Sequence, residues 1–71
     1  MITLCKLVDR ETDKILFHSS LDSIAKTLIQ LNGGDTVIVS GVKYFIYEKM
    51  VIVENCILTI DIYVTVFDVE D

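Results

Sequence analysis

Leu58, Ile60, Ile62, Val64 and Val66 stand at every second position of one run, with no polar residue among them. That period of two marks a strand with one face on a core. The residues between and beside them, Ile57, Thr59, Asp61, Tyr63, Thr65 and Phe67, form a mixed face that can meet water or a partner. Such a strand needs other strands beside it and a cover for its apolar side. The chain has 71 residues, 52% of them hydrophobic and none of them Pro. A chain this short buries only about 60% of its unfolded surface, enough for one modest core but not for a deep substrate cleft. One domain over residues 1–71 is expected, and an enzyme is not.

Upstream, Ile2 to Val8 and Lys14 to His18 are strand-like runs separated by the polar cluster Asp9-Arg10-Glu11-Thr12-Asp13, which suits a hairpin loop. Ser19-Ser20-Leu21-Asp22 matches a capping box, so a helix should start there. Leu21, Ile24, Ala25, Leu28 and Leu31 make one apolar stripe, and Asn32-Gly33-Gly34 supplies residues that tolerate the left-handed conformation at a helix end. The period then returns to two. Thr36 to Val39, a Ser40-Gly41 turn, Val42 to Val53, and Cys56 to Val69 read as three further strands. The expected fold is α+β in the order ββαβββ, a curled and mostly antiparallel sheet with one helix packed on one face.

The penultimate strand is apolar on both sides, with Tyr44, Ile46, Met50 and Ile52 on one and Phe45, Tyr47, Val51 and Val53 on the other. One helix covers only one face. Either the sheet closes on itself or the chain forms a homodimer, with Ile57, Tyr63 and Phe67 as the self-association residues.

Charge is distributed unevenly. The net charge is −5, yet residues 1–50 contain equal numbers of acids and bases. The excess lies in Glu54, Asp61, Asp68, Glu70 and Asp71, with no Lys or Arg beyond residue 50. Nucleic-acid binding depends on cations neutralising phosphates, so direct DNA or RNA binding is not expected. A basic protein is the better electrostatic partner. Acids at alternate positions of an extended segment repeat every ~6.6 to 6.8 Å, about two phosphate steps of ~3.4 Å along DNA. Asp68 with Glu70, or Asp9, Glu11 and Asp13 if that loop is extended, would have this spacing. Acidic turns and tails also serve simply to keep a protein soluble and to blunt sheet edges.

No catalytic or metal motif emerges. His18 adjoins Ser19 and Ser20, but neighbours in sequence rarely converge as nucleophile and base. Cys5, Cys56 and His18 lack metal-ligand spacing and read as packing residues, with no cofactor implied. Gly33-Gly34-Asp35-Thr36 follows a helix and lacks the Lys of a phosphate loop. Tyr44, Phe45 and Tyr47 are accompanied only by Lys43 and Lys49, too little charge for a single-strand platform. Two cysteines are few for a secreted scaffold, which favours the cytoplasm. The first residues do not form a signal peptide, and no run is long enough to span a membrane.

The segment Gly34-Asp35-Thr36-Val37-Ile38-Val39-Ser40-Gly41-Val42-Lys43-Tyr44-Phe45-Ile46, followed by a turn and a long alternating strand, resembles the small β modules of Bacillus-type phage proteins. In size and acidity the chain is similar to the phage host-takeover proteins that inhibit the nucleoid protein HU by occupying its DNA-binding site. That resemblance implies a small acidic dimer acting in the host cytoplasm as a substitute for DNA. Its partner-binding residues would be Asp9, Glu11, Asp13, Glu54, Asp61, Asp68, Glu70 and Asp71. The alternative is a structural or assembly module, such as an accessory subunit, that docks by its apolar sheet face.

Overall fold

The structure, a computed structural model, describes residues 2–66. Its elements run β1 (Ile2–Asp9), β2 (Ile15–Ser19), α1 (Asp22–Ile29), β3 (Thr36–Val39), β4 (Val42–Glu54) and β5 (Ile57–Val66). The strands form one sheet in the order β2-β1-β5-β4-β3. This is the expected α+β fold, mostly antiparallel and nearly barrel-like. The hairpins β1–β2, β3–β4 and β4–β5 are antiparallel, while β1 and β5 pair parallel at the centre of the sheet. The central pair joins the ends of the chain, and everything between them serves as its crossover.

The helix is shorter than its apolar stripe, and its start differs from expectation. Leu21 is the N-cap, with no side-chain cap bond. The Ser19 hydroxyl accepts instead from the Leu21 N–H at 3.1 Å, so Ser19 orders the approach to the helix and the capping box does not form. At the other end, helical geometry stops at Ile29, ahead of the Asn32-Gly33-Gly34 signal. The Lys49 ammonium of β4 donates to the carbonyls of Ile29 and Leu31, the latter at 3.0 Å. A cation from the sheet thus satisfies carbonyls that the helix cannot pair itself. Leu31 still packs against the core from beyond the helix.

Helix α1 packs on β1 and β5. Ala25 and Leu28 join Cys5, Leu7, Tyr44, Ile46, Ile60, Ile62 and Val64 in the buried cluster. Of the alternating set in β5, Ile60, Ile62 and Val64 are buried, Leu58 is half-buried, and Val66 at the strand end is exposed.

Alternation along β4 breaks at Tyr47. The pairing with β5 shifts register between Ile46 and Glu48, so two residues of β4 pass one step of its partner. Tyr44 and Ile46 lie opposite Val66 and Val64, but beyond the bulge Lys49, Val51 and Val53 take that face, opposite Ile62, Ile60 and Leu58. Met50 and Ile52 therefore lie on the face opposite Tyr44 and Ile46. The division of β4 into two unbroken faces is corrected by one extra residue, because a one-residue shift moves every later side chain to the other side.

Ser40 and Gly41, with φ of 52° and 81°, form the expected tight turn between β3 and β4. At the β4–β5 turn, Asn55 and Cys56 occupy the same left-handed region, with φ of 50° and 64°. Cys56 is thus a turn residue and does not begin the last strand. Asn adopts this conformation readily, whereas a Cβ-bearing Cys is strained there. Cys56→Gly is expected to stabilise the fold by about 0.5–1 kcal/mol, less than the full steric cost because Gly loses more entropy on folding. A thermal melt should show the midpoint rise; a lower midpoint would contradict strain at this turn.

Candidate functional site

The acids do not form one strip among the described residues. In the β1–β2 loop the chain turns tightly: the Asp9 N–H donates to the Lys14 carbonyl at 2.8 Å, and the Asp13 N–H to the Asp9 carbonyl at 2.7 Å. The Asp9 carboxylate accepts from the Glu11 N–H at 3.0 Å, and Asp13 has a φ of 59°. The extended row of Asp9, Glu11 and Asp13 is therefore replaced by a closed loop, because local hydrogen bonds compete with extension at Asp residues. Asp9 is half-buried, while Glu11 and Asp13 are exposed. Glu54 is exposed at the far tip of the β4–β5 hairpin. The stretch of β5 from Ile57, beside Glu54, to Val64, beside Asp9, separates that tip from the start of the loop, about 23 Å at ~3.3 Å per residue. Asp68, Glu70 and Asp71 lie outside the described residues, as does Phe67.

Asp61 is 7% exposed, which removes it from the solvent-facing acids. It stands between Lys6 of β1 and Met50 of β4. The Lys6 ammonium is 3.9 Å from its Oδ1, and that oxygen has no hydrogen-bond partner among the described residues. The face opposite the helix is thus partly an interior. Val8 is also buried there, and Tyr63 is half-buried. At its rim the Arg10 guanidinium lies 3.8 Å from the centre of the Tyr47 ring, a cation–π contact. Asp13, Glu48, Met50 and Tyr63 line a depression beside this pair.

Exposed large apolar side chains occur on several elements, among them Leu4, Ile15, Leu21 and Ile38, and one group lies toward the tip of the β4–β5 hairpin. Val51 is 49% and Val53 62% exposed on the helix side, and Met50 is 40% exposed on the other. Ile52, Ile57 and Leu58 are half-buried beside them. Val51 and Val53 are uncovered because α1 packs over β1 and β5 and meets this part of β4 chiefly through Lys49. A second apolar surface lies between the sheet's two edge strands and the helix. It is a groove of about 530 Å³ lined by Phe17, Leu16, Ile24, Val37, Ile38 and their neighbours.

The cysteines are free and differently placed. Cys5 is buried in β1 and donates to the Ser19 carbonyl at 3.4 Å, whereas Cys56 is exposed at the hairpin tip. Burial pushes the Cys5 thiol above its ordinary value, outweighing that hydrogen bond, so it remains a protonated packing group at neutral pH.

Lys49, Arg10 with Tyr47, and Lys6 with Asp61 are structural pairings that the sequence reading did not single out. The first two join segments far apart in the chain, and the third depends on the parallel register of β1 on β5; neither carries a local signature. Among the described residues, no helix is long and apolar enough to cross a membrane. Compared with protein-family models, with curated proteins and with solved structures, the chain finds no match.

Proposed function

We propose that this chain is a non-enzymatic docking module of the cytoplasm that binds a protein partner through the apolar surface of its β4–β5 hairpin. The observation carrying this reading is the exposure of Val51 and Val53 side by side on the helix face of the sheet, next to the half-buried Leu58, with the exposed Met50 and the half-buried Ile52 and Ile57 on the reverse face of the same hairpin. Contiguous exposed apolar residues are uncommon on soluble monomers and characterise interaction surfaces. Ile57, one of the three self-association residues expected from the sequence, stands at the tip of the same hairpin on the face opposite Val53; Tyr63 lies further along β5.

A second reading is favoured by the depression that brings Asp13 and Glu48 together near the exposed Glu11. Arg10 is directed onto Tyr47 there. In this reading the acidic end contacts a basic DNA-binding protein of the HU type and occupies its DNA site by charge. Capture from nuclease-treated bacterial lysate, washed in parallel at low and high salt, separates the two. The first reading expects a partner that survives high salt and is lost with Val53→Asp. Salt-sensitive capture of a small basic protein, retained by Val53→Asp and lost when Glu11→Lys is combined with Asp13→Lys, would overturn it in favour of the second.

A further inference from the structure

Strand β4 is 13 residues long, but β3 pairs only with its first part, from Val42 to Phe45. The adjoining loop extends that cover to Ile46, which exchanges hydrogen bonds with Gly34 and Asp35. From Glu48 to Glu54, β4 pairs with β5 on one side, and no strand among the described residues pairs with its other side. An open row of main-chain donors and acceptors calls for an extended strand. The edge is guarded at its ends by the bulge at Tyr47 and by the charges of Glu48 and Glu54, and less so between them, from Lys49 to Val53. The chain has no Pro, and Lys49 is turned onto the carbonyls of Ile29 and Leu31.

We propose that the occupant of this edge is the same edge of a second copy, paired antiparallel about a two-fold axis at Ile52. The inference rests on the apolar docking surface proposed above and names the partner for its edge. A two-fold antiparallel pair must place opposed side chains on the same face, so only registers centred on a residue are allowed. Centring on Lys49 sets Lys49 opposite its own copy, and centring on Val51 sets Glu48 opposite Glu54. Centring on Met50 sets Glu48 against Ile52 and Lys49 against Val51, two charges on apolar residues, and pairs no valine with a valine. With Ile52 on the axis, each Met50 faces a Glu54, but each Val51 faces a Val53 and no like charges are opposed. Apolar β-branched pairs of this kind stabilise a ladder, whereas like charges directly opposite weaken it. The contact uses the open edge of both copies and is closed, so it yields a dimer and no filament.

Charge exchange at two exposed positions tests both the dimer and its register. Sedimentation of the full chain at micromolar concentration should give twice the monomer mass. Combining Val51→Lys with Val53→Lys sets two pairs of introduced lysines opposite each other and should give a monomer with an unchanged circular dichroism spectrum. Combining Val51→Glu with Val53→Lys sets each introduced acid opposite an introduced base and should restore the dimer. Ile38→Lys, on the exposed edge strand β3, should leave the dimer intact. A monomeric wild type, a dimer that tolerates paired lysines, failure of the Glu/Lys combination to restore it, or loss with Ile38→Lys would each overturn the proposal. If the wild type is monomeric while Val53→Asp still abolishes salt-resistant capture, the docking function stands and only the self-pairing fails.

Discussion

An Ile62→Ala variant is expected to lose about half of the wild-type stability. Ile62 has no solvent exposure and sits among Leu7, Ile60 and Val64 in the buried cluster. It pairs with Leu7 on one side and Lys49 on the other, so its side chain lies where the helix closes over the central strands. Removing the branched side chain sacrifices its transfer free energy and leaves a void that close-packed neighbours fill only partly, at about 2–5 kcal/mol. A domain of this length has about 4–10 kcal/mol in total. Urea denaturation should therefore show a midpoint lowered by about half with little change in slope. A loss below about 1 kcal/mol would mean that this position is not the centre of the core.

The second large effect concerns Lys6 and Asp61. Lys6→Met leaves a buried carboxylate without its cation and should cost about 1–3 kcal/mol, less than the ~3–5 kcal/mol of a fully buried pair. The difference reflects the Lys6 side chain, which is 36% exposed and partly screened by solvent. Adding Asp61→Val should recover most of the loss, because the carboxylate oxygen that lacks a hydrogen bond is then gone and apolar neighbours such as Met50 meet an apolar side chain. Equilibrium denaturation of the two single variants and the double variant measures the coupling directly. If the double variant is as unstable as Lys6→Met alone, the cost arises from lost packing of the Lys stem and not from an uncompensated charge.

The acidic residues show how position in the fold changes the meaning of a charge. In sequence Asp61 belongs with Glu54, Asp68, Glu70 and Asp71 as part of a base-free segment. In the structure its strand is central and Lys6 lies beside it, so it is an interior group. Asp9, Glu11 and Asp13 have the spacing of an extended row, but the Asp9 carboxylate and carbonyl both accept from the loop's own N–H groups and close it. The apolar candidates depended less on such detail. The excess of apolar side chains over what one helix can cover was legible from Tyr44 to Val53, and it reappears as the exposed Met50, Val51 and Val53.

Periodicity by itself determined the element order, the single helix, the Ser40-Gly41 turn and the core face of β5, because each depends on residues within a few positions of one another. Tertiary structure alone decided the parallel pairing of β1 with β5, the face reversal at the Tyr47 bulge, the Lys49 cap on the helix and the burial of Asp61. Local patterns report which side of an element is apolar. They do not report which distant segment comes to lie against it, since that depends on how the whole chain shares one small core.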